Sequence, residues 1–251
     1  MGTSCIIRHF EHYAELTQSD RDLLASLERS PESSPKNTVL WEQGAPSEFF
    51  YTVSRGWAVS YRNMENGTRQ VLDIYVPGDI IGLREFAFQK RVAGLMVLTD
   101  AELCAFPKMR LTEVFSKSIL LCSIFFMITA RDQAILLERL VNLGRRSAKE
   151  KLAHFLVEMC KRLGKTNPAV ANELKLPLTQ ALIADALGLS AVHVSRTFQE
   201  LKETGQVGVS NGGIEVHDIE GLKEIAGFDP SYLEEDIDAI LEHSRRGEIN
   251  N

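Results

Sequence analysis

Within AVHVSRTFQELKETG, residues 191–205, five side chains of unlike chemistry fall in the first turns of one helical stretch: Val192, His193, Ser195, Arg196 and Gln199. None of them is needed for its apolar stripe, which Val194, Phe198 and Leu201 supply at helical spacing. A guanidinium such as that of Arg196 can bond guanine in bidentate fashion, worth about 1–3 kcal/mol of discrimination. Amides, imidazoles and hydroxyls bond other base edges, and Val192 suits a thymine methyl. His193 reads equally well as a base or phosphate contact or as a solvent-facing side chain. This is recognition chemistry. The chain pairs no nucleophile with a base, has no phosphate loop and clusters no metal ligands by sequence, so an enzyme is not expected.

A short helix before this one must position it. LTQALIADALGL (178–189) offers Thr179 as N-cap, Leu182, Ile183 and Leu187 as an inward face, and Gly188 as the stop. Ser190 caps the second helix and Gly205 ends it, giving a helix-turn-helix. Such a corner can be plain helix packing. QVGVSNGGIEVHD follows it as a β-hairpin wing, and that favours DNA. Thr179, Gln180 and Ser190 sit at helix N-termini, where hydroxyls, amides and backbone N–H groups suit phosphates.

Upstream the texture differs. LTQSDRDLLASLE (16–28) opens with Thr17 three residues before Asp20, a capping-box start. From about 38 to 107, short β-branched and aromatic runs alternate with turn residues, including Asn66-Gly67 and glycines at 44, 56, 67, 78 and 82. That spacing predicts a β-barrel or jelly roll. SKSILLCSIFFMITARDQAILLERLVNLG (116–144) then predicts one long helix, apolar on all sides in its first half. A second copy of the chain is the simplest cover, through Ile119, Cys122, Phe126, Gln133, Leu136 and Leu140. In the second half Ile135, Leu136, Leu140 and Leu143 form a stripe, and Arg131, Asp132, Glu138 and Arg139 are expected to face water. RRSAKEKLAHFLVEMCKRLG predicts a further amphipathic helix.

The expected divisions are a β-roll sensor with an N-terminal helix over 1–115, a dimerisation helix over 116–144, a winged helix-turn-helix over 145–220 and an acidic helical tail over 221–251. The fold class is α+β. In the tail, Asp229-Pro230 starts a helix whose stripe is Leu233, Ile237, Ile240 and Leu241, ending near Gly247; it is expected to dock on its own winged domain.

The chain has 251 residues and a net charge of −6, which by itself argues against nucleic acid. Its distribution matters more. Residues 145–207 hold ten Lys/Arg against six Asp/Glu, and residues 221–251 hold three against eight. The longest apolar run, 119–128, is about half the roughly 18 residues of a membrane span. With no leader pattern at the N-terminus, the expectation is a cytoplasmic protein without membrane association. Cys5, Cys104, Cys122 and Cys160 form no C-x-x-C pair, so neither zinc nor an iron–sulfur centre is expected; they read as buried or incidental thiols, with Cys5 near an exposed end.

The order of β-roll, long helix and winged helix-turn-helix resembles the Crp/Fnr family of bacterial transcription regulators, over about 16–220 and most strongly over 178–216, supported by PGDIIG (77–82). The resemblance implies a sensor barrel, a homodimer along the long helix and a second corner helix in the major groove of a palindromic duplex. RNA polymerase is the implied further partner. Arg196 matches the family's guanine-reading arginine and Ser195 lies beside it as in the Fnr-like branch. Val192 stands where many members have a glutamate, and Ala191 where the cyclic AMP receptor has an arginine, so a different half-site is expected.

In cyclic-nucleotide-binding members a glutamate after the PGD-x-x-G glycine holds the ribose, and an Arg-Ser or Arg-Thr pair holds the phosphate. Here Leu83 fills the first place, Arg91 is present and Val92 replaces the hydroxyl; Glu85 lies two residues beyond the ribose position. A buried phosphodiester needs charge-assisted hydrogen bonds to offset desolvation. A cyclic nucleotide is therefore not expected, nor is an iron–sulfur cluster, and haem at His9 or His12 has no motif behind it. The effector stays open. The alternative to a DNA-binding regulator is a sensor acting through protein partners after losing DNA affinity.

Overall fold

The computed structural model describes residues 4–166, 175–210 and 213–237. Two helices, α1 (Cys5–Phe10) and α2 (Gln18–Leu27), precede eight strands: β1 (Glu32–Ser34), β2 (Val39–Trp41), β3 (Phe49–Arg55), β4 (Ala58–Asn63), β5 (Arg69–Tyr75), β6 (Ile80–Ile81), β7 (Gly94–Val97) and β8 (Ala101–Pro107). Helices α3 (Leu111–Lys117), α4 (Ile119–Arg145) and α5 (Ala148–Thr166) follow. Then come β9 (Lys175–Leu176), α6 (Gln180–Leu187), α7 (Ala191–Glu203), β10 (Val207–Ser210), β11 (Gly213–Val216) and α8 (Ile219–Ala226).

The capping box of α2 forms as expected: the Thr17 hydroxyl accepts from the Asp20 N–H, and the Asp20 carboxylate accepts from the Thr17 N–H. The eight strands make two four-stranded antiparallel sheets, β1-β8-β3-β6 and β2-β7-β4-β5. The β4–β5 hairpin runs from Ala58↔Tyr75 to Asn63↔Arg69 and turns through Asn66-Gly67, with Gly67 at φ 81°. Phe50, Phe106 and Ile80 from one sheet pack against Ile6 and Phe10 of α1 and against Leu121, Ile124, Phe125 and Ile128 of α4. Each such side chain, fully buried, contributes about 1.5–3 kcal/mol of transfer free energy.

The long helix starts later than the sequence suggests. Ser118 is extended and its hydroxyl accepts from the Leu121 N–H while donating to Asp20, so the expected 116–144 helix breaks into α3 and α4. A serine hydroxyl that can cap competes with helix continuation. By length and composition α4 could span a membrane, contrary to the reading of its apolar run. Its inward side chains Leu121, Ile124, Phe125 and Ile128 are, however, buried against the β-roll.

The second half of α4 reverses an expectation. Arg131, Asp132, Glu138 and Arg139 do not face water. Arg139 donates to Asp73 at 2.8 Å and to Glu158 at 3.2 Å, Arg131 donates to the Tyr13 hydroxyl at 2.8 Å, and Arg146 donates to Glu138 at 2.6 Å. Carboxylates on β5 and α5 draw Arg139 inward, Asp79 and Glu235 approach Arg131, and Asp132 and Glu138 are themselves half-buried. Leu136 and Leu140 are left outside with Ile119 and Phe126, while Ile135 is buried.

The winged unit is larger than expected. Helix α8 packs on α5, and Leu222 and Ala226 join the cluster of Leu152, Leu156, Phe198 and Leu201, so the unit continues past 220 to Ala226. β9 adds a third strand to the wing, in the order β10-β11-β9. The tail helix expected from Asp229 opens on a 3-10 turn over Pro230–Leu233, capped by Asp229 accepting from the Ser231 N–H. Nor does the tail dock only on its winged unit. Ile237 is buried with Ile6 and Phe10 of the sensor, and Glu235 pairs with Lys165 of α5. Ile240, Leu241 and Gly247 lie outside the described residues.

Cys5 is not near an exposed end. It is buried and joined to Cys104 of β8 by a disulfide, with Cα atoms 6.7 Å apart. The Glu28 carboxylate beside it accepts from the Ser4 hydroxyl and from the N–H groups of Cys5 and Ile6. Cys5, Glu28 and Cys104 place their ligand-type atoms within 4.8 Å of one another, a proximity that separation by 99 residues hides from any spacing rule.

Candidate nucleic-acid interface and effector cradle

Helices α6 and α7 meet at a corner built by three local devices. The Thr179 hydroxyl accepts from the Leu182 N–H, Gly188 takes the left-handed conformation at φ 61°, and the Ser190 hydroxyl accepts from the His193 N–H. Leu182, Ile183 and Leu187 face Val194, Phe198 and Leu201 in the core. The opposite side of α7 carries Val192, His193, Ser195, Arg196 and Gln199, all exposed, with the Arg196 side chain 73% accessible. Their restraints among the described residues are light: Arg196 lies 3.9 Å from Glu200, Gln199 donates to Glu203, and His193 Nδ1 lies 3.2 Å from Ser190 Oγ. A convex helix face with an unburied guanidinium among small polar groups fits a major groove.

Thr179 and Gln180 lie elsewhere. They line a cleft of about 340 Å³ shared with Val209 of the wing and with Lys36 and Thr99 of the β-roll. Helix α6 is also fastened to the β4–β5 hairpin: Arg69 donates to Asp185 at 3.0 and 2.9 Å, and Gln70 donates to the Asp185 carbonyl at 2.9 Å.

The three cradle residues come together around an internal ion pair. Arg91 donates to Glu85 at 2.7 Å and to the Phe49 carbonyl at 2.7 Å, and its guanidinium sits 4.1 Å from the centre of the Trp41 ring. The other Glu85 oxygen accepts from the Val92 N–H at 2.9 Å. Leu83 is buried in the apolar core. Gly82, at φ 102°, sits tightly against the pair: an added Cβ would lie 3.1 Å from Arg91 and Phe50, in a left-handed conformation that favours glycine. Only about 50 Å³ is left between Trp41, Tyr75, Arg84 and Glu85. Sequence spacing marked Glu85 as misplaced for a ribose; its role as counter-ion to Arg91 needed the tertiary structure.

Two family models match the chain: a cyclic nucleotide-binding domain over residues 31–118 and a Crp-like helix-turn-helix domain over 150–225. The transcriptional activator protein FnrL of Cereibacter sphaeroides is 30% identical over 234 residues, covering 90% of this chain and 91% of FnrL. The transcriptional activatory protein AadR of Rhodopseudomonas palustris is 28% identical over 222 residues, covering 86% and 89% respectively. The solved structure of FixK2 from Bradyrhizobium japonicum superposes with a TM-score of 0.71 at 26% identity, over 80% of this chain and 98% of FixK2. The chain belongs to the Crp/Fnr family. It is a DNA-binding transcription regulator and not an enzyme.

Within this Crp/Fnr regulator, one group of residues escaped the sequence reading. Asp73 accepts from Arg139 at 2.8 Å and Arg162 at 3.4 Å, and pairs closely with Arg84; Arg162 also donates to Asp79 at 2.8 Å. The three guanidiniums outweigh the effect of burial and hold the Asp73 carboxyl well below the usual carboxylate range. This network ties β5, α4 and α5 together where the sensor meets the winged unit. Alternation within β5 gave no signal for it, because an aspartate there reads as an ordinary solvent-facing strand residue.

Proposed function

We propose that this regulator works as a homodimer whose two α4 helices pair and whose two α7 helices read a palindromic duplex. The observation that carries the reading is the exposed stripe of α4. Ile119, Cys122, Phe126, Gln133, Leu136 and Leu140 recur at steps of three, four and seven, and Phe126 and Leu140 stay 73% and 65% exposed in the protomer. A repeat of this spacing is a two-helix seam. It leaves the ionic side of each helix on its own sensor.

Arg196 is the base-reading residue in this proposal, with Val192, His193, Ser195 and Gln199 completing the face. Ser190, Thr179 and Gln180 serve phosphates from two helix N-termini. Because Glu85 already neutralises Arg91 in a space too small for a nucleotide, regulation does not pass through cyclic nucleotide bound in that cradle. Relatives named as activators support contact with RNA polymerase, in the cytoplasm, as the downstream step.

Selection of bound duplexes from a random pool by the purified protein tests the reading. The expected product is a palindrome with half-site centres ~34 Å apart, one helical turn. Enrichment of a single unpaired half-site, with a monomer in sedimentation, would overturn the dimer.

A further inference from the structure

A cavity of about 230 Å³ lies where the sensor, α4, α5 and the tail meet, lined by His9, His12, Tyr13, Asp79, Arg131, Arg162, Lys165, Leu233 and Glu235. It is separate from the Arg91 cradle and shares no residue with it. His9 is 98% buried, and neither ring nitrogen has a protein partner. Nε of Arg162 likewise lacks a hydrogen-bond partner, while Nε of Arg131 and Oε1 of Glu235 face each other as an ion pair at 3.5 Å, beyond hydrogen-bond reach. Buried polar atoms are nearly always paired, so three unpaired atoms and one stretched ion pair around one cavity call for an occupant that supplies their bonds.

The built-in carboxylate shows what chemistry the walls accept. Glu235 comes from the tail, reaches Lys165 with one oxygen, and holds the other 3.5 Å from Arg131 Nε, too far for a good hydrogen bond. Behind it, Tyr13 accepts from Arg131, which leaves the phenol O–H to donate. We propose that the cavity is an effector site for a small carboxylate. The ligand's carboxylate takes the place of Glu235 between Arg131 and Lys165, and a second polar group bonds His9. At about 230 Å³ the space is below the ~300–1,000 Å³ typical of drug-sized ligand pockets, which fits a metabolite of a few carbons. Since Glu235 tethers the tail across the two domains, its displacement would loosen the join between sensor and winged unit.

The test uses the full-length protein, thermal unfolding and calorimetry, with succinate, citrate and benzoate as probes and inorganic phosphate as the comparison anion. At least one carboxylate is expected to stabilise the wild type in a dose-dependent way. Lys165→Gln and His9→Phe should each weaken its binding about tenfold, equal to about 1.4 kcal/mol. Glu235→Gln, which removes the internal competitor, should tighten it and expose residues 229–237 to protease. The proposal fails if no carboxylate binds either wild type or Glu235→Gln. It fails equally if phosphate and carboxylates act alike on every variant, or if a crystal soaked with the best probe shows only ordered water in the cavity. None of these readouts involves DNA, so they stand apart from the operator selection.

Discussion

Arg91 and Glu85 form a 2.7 Å ion pair in which both side chains are almost wholly buried. The arginine that the family resemblance would assign to a phosphate is thereby committed to an internal partner. Removing one member of a buried pair leaves an uncompensated charge and costs about 3–5 kcal/mol, whereas replacing both by apolar residues is far milder. Glu85→Ala should therefore lower unfolding free energy by that order in urea titrations, and Glu85→Leu with Arg91→Met should recover most of it. Cyclic AMP at millimolar concentration should leave the wild-type melting temperature unchanged.

Arg196 is exposed and makes only a 3.9 Å approach to Glu200, so its removal should leave folding intact. Arg196→Ala is expected to lose about 1–3 kcal/mol of discrimination at one guanine per half-site. Competition binding against substituted operators measures this. An equal loss on operator and random duplex would make the residue a phosphate anchor instead.

The α4 seam can be broken without touching a protomer core. Leu140→Glu removes two exposed leucines from the dimer, about 3–6 kcal/mol if each is worth 1.5–3 kcal/mol on burial. Sedimentation should show monomers, circular dichroism should be unchanged, and operator affinity should fall.

His9 gives a pH dependence whose sign follows from its surroundings. Burial, with Arg131 and His12 nearby, holds its pKa well below the ordinary value of 6.5. Below that value the unfolded chain binds a proton that the native chain refuses, so stability is complete above about pH 6.5 and declines as pH falls. The slope from this one group approaches about 1.4 kcal/mol per pH unit. Urea unfolding of the wild type and His9→Phe across this range should differ by that slope; parallel curves would remove His9 from the titration.

Cys5 and Cys104 are paired, whereas Cys122 and Cys160 are free thiols. Burial pushes the Cys160 thiol up to about 12, so it should react only after unfolding. Thiol titration of the denatured protein should count two groups before reduction and four after. Reduction should also destabilise the fold by about 2–5 kcal/mol, the usual loss for a disulfide closing a long loop.

What the residues by themselves determined was whatever depends on neighbours in the chain. Thr179, Gly188 and Ser190 cap and turn the corner through bonds spanning three or four residues, so the helix-turn-helix and its exposed Arg196 face could be read directly. The Asn66-Gly67 hairpin and the Thr17 capping box are legible for the same reason. Tertiary structure alone decided the pairings between distant residues. The inward turn of Arg139 toward Asp73, the junction of Cys5 with Cys104 and the reach of Glu235 to Lys165 cross 66, 99 and 70 positions. A helix periodicity shows that α4 has an apolar side and a charged side, but which side meets the sensor depends on carboxylates contributed by β5 and α5. That choice turned an expected solvent face into a buried ionic network and left Leu136 and Leu140 outside.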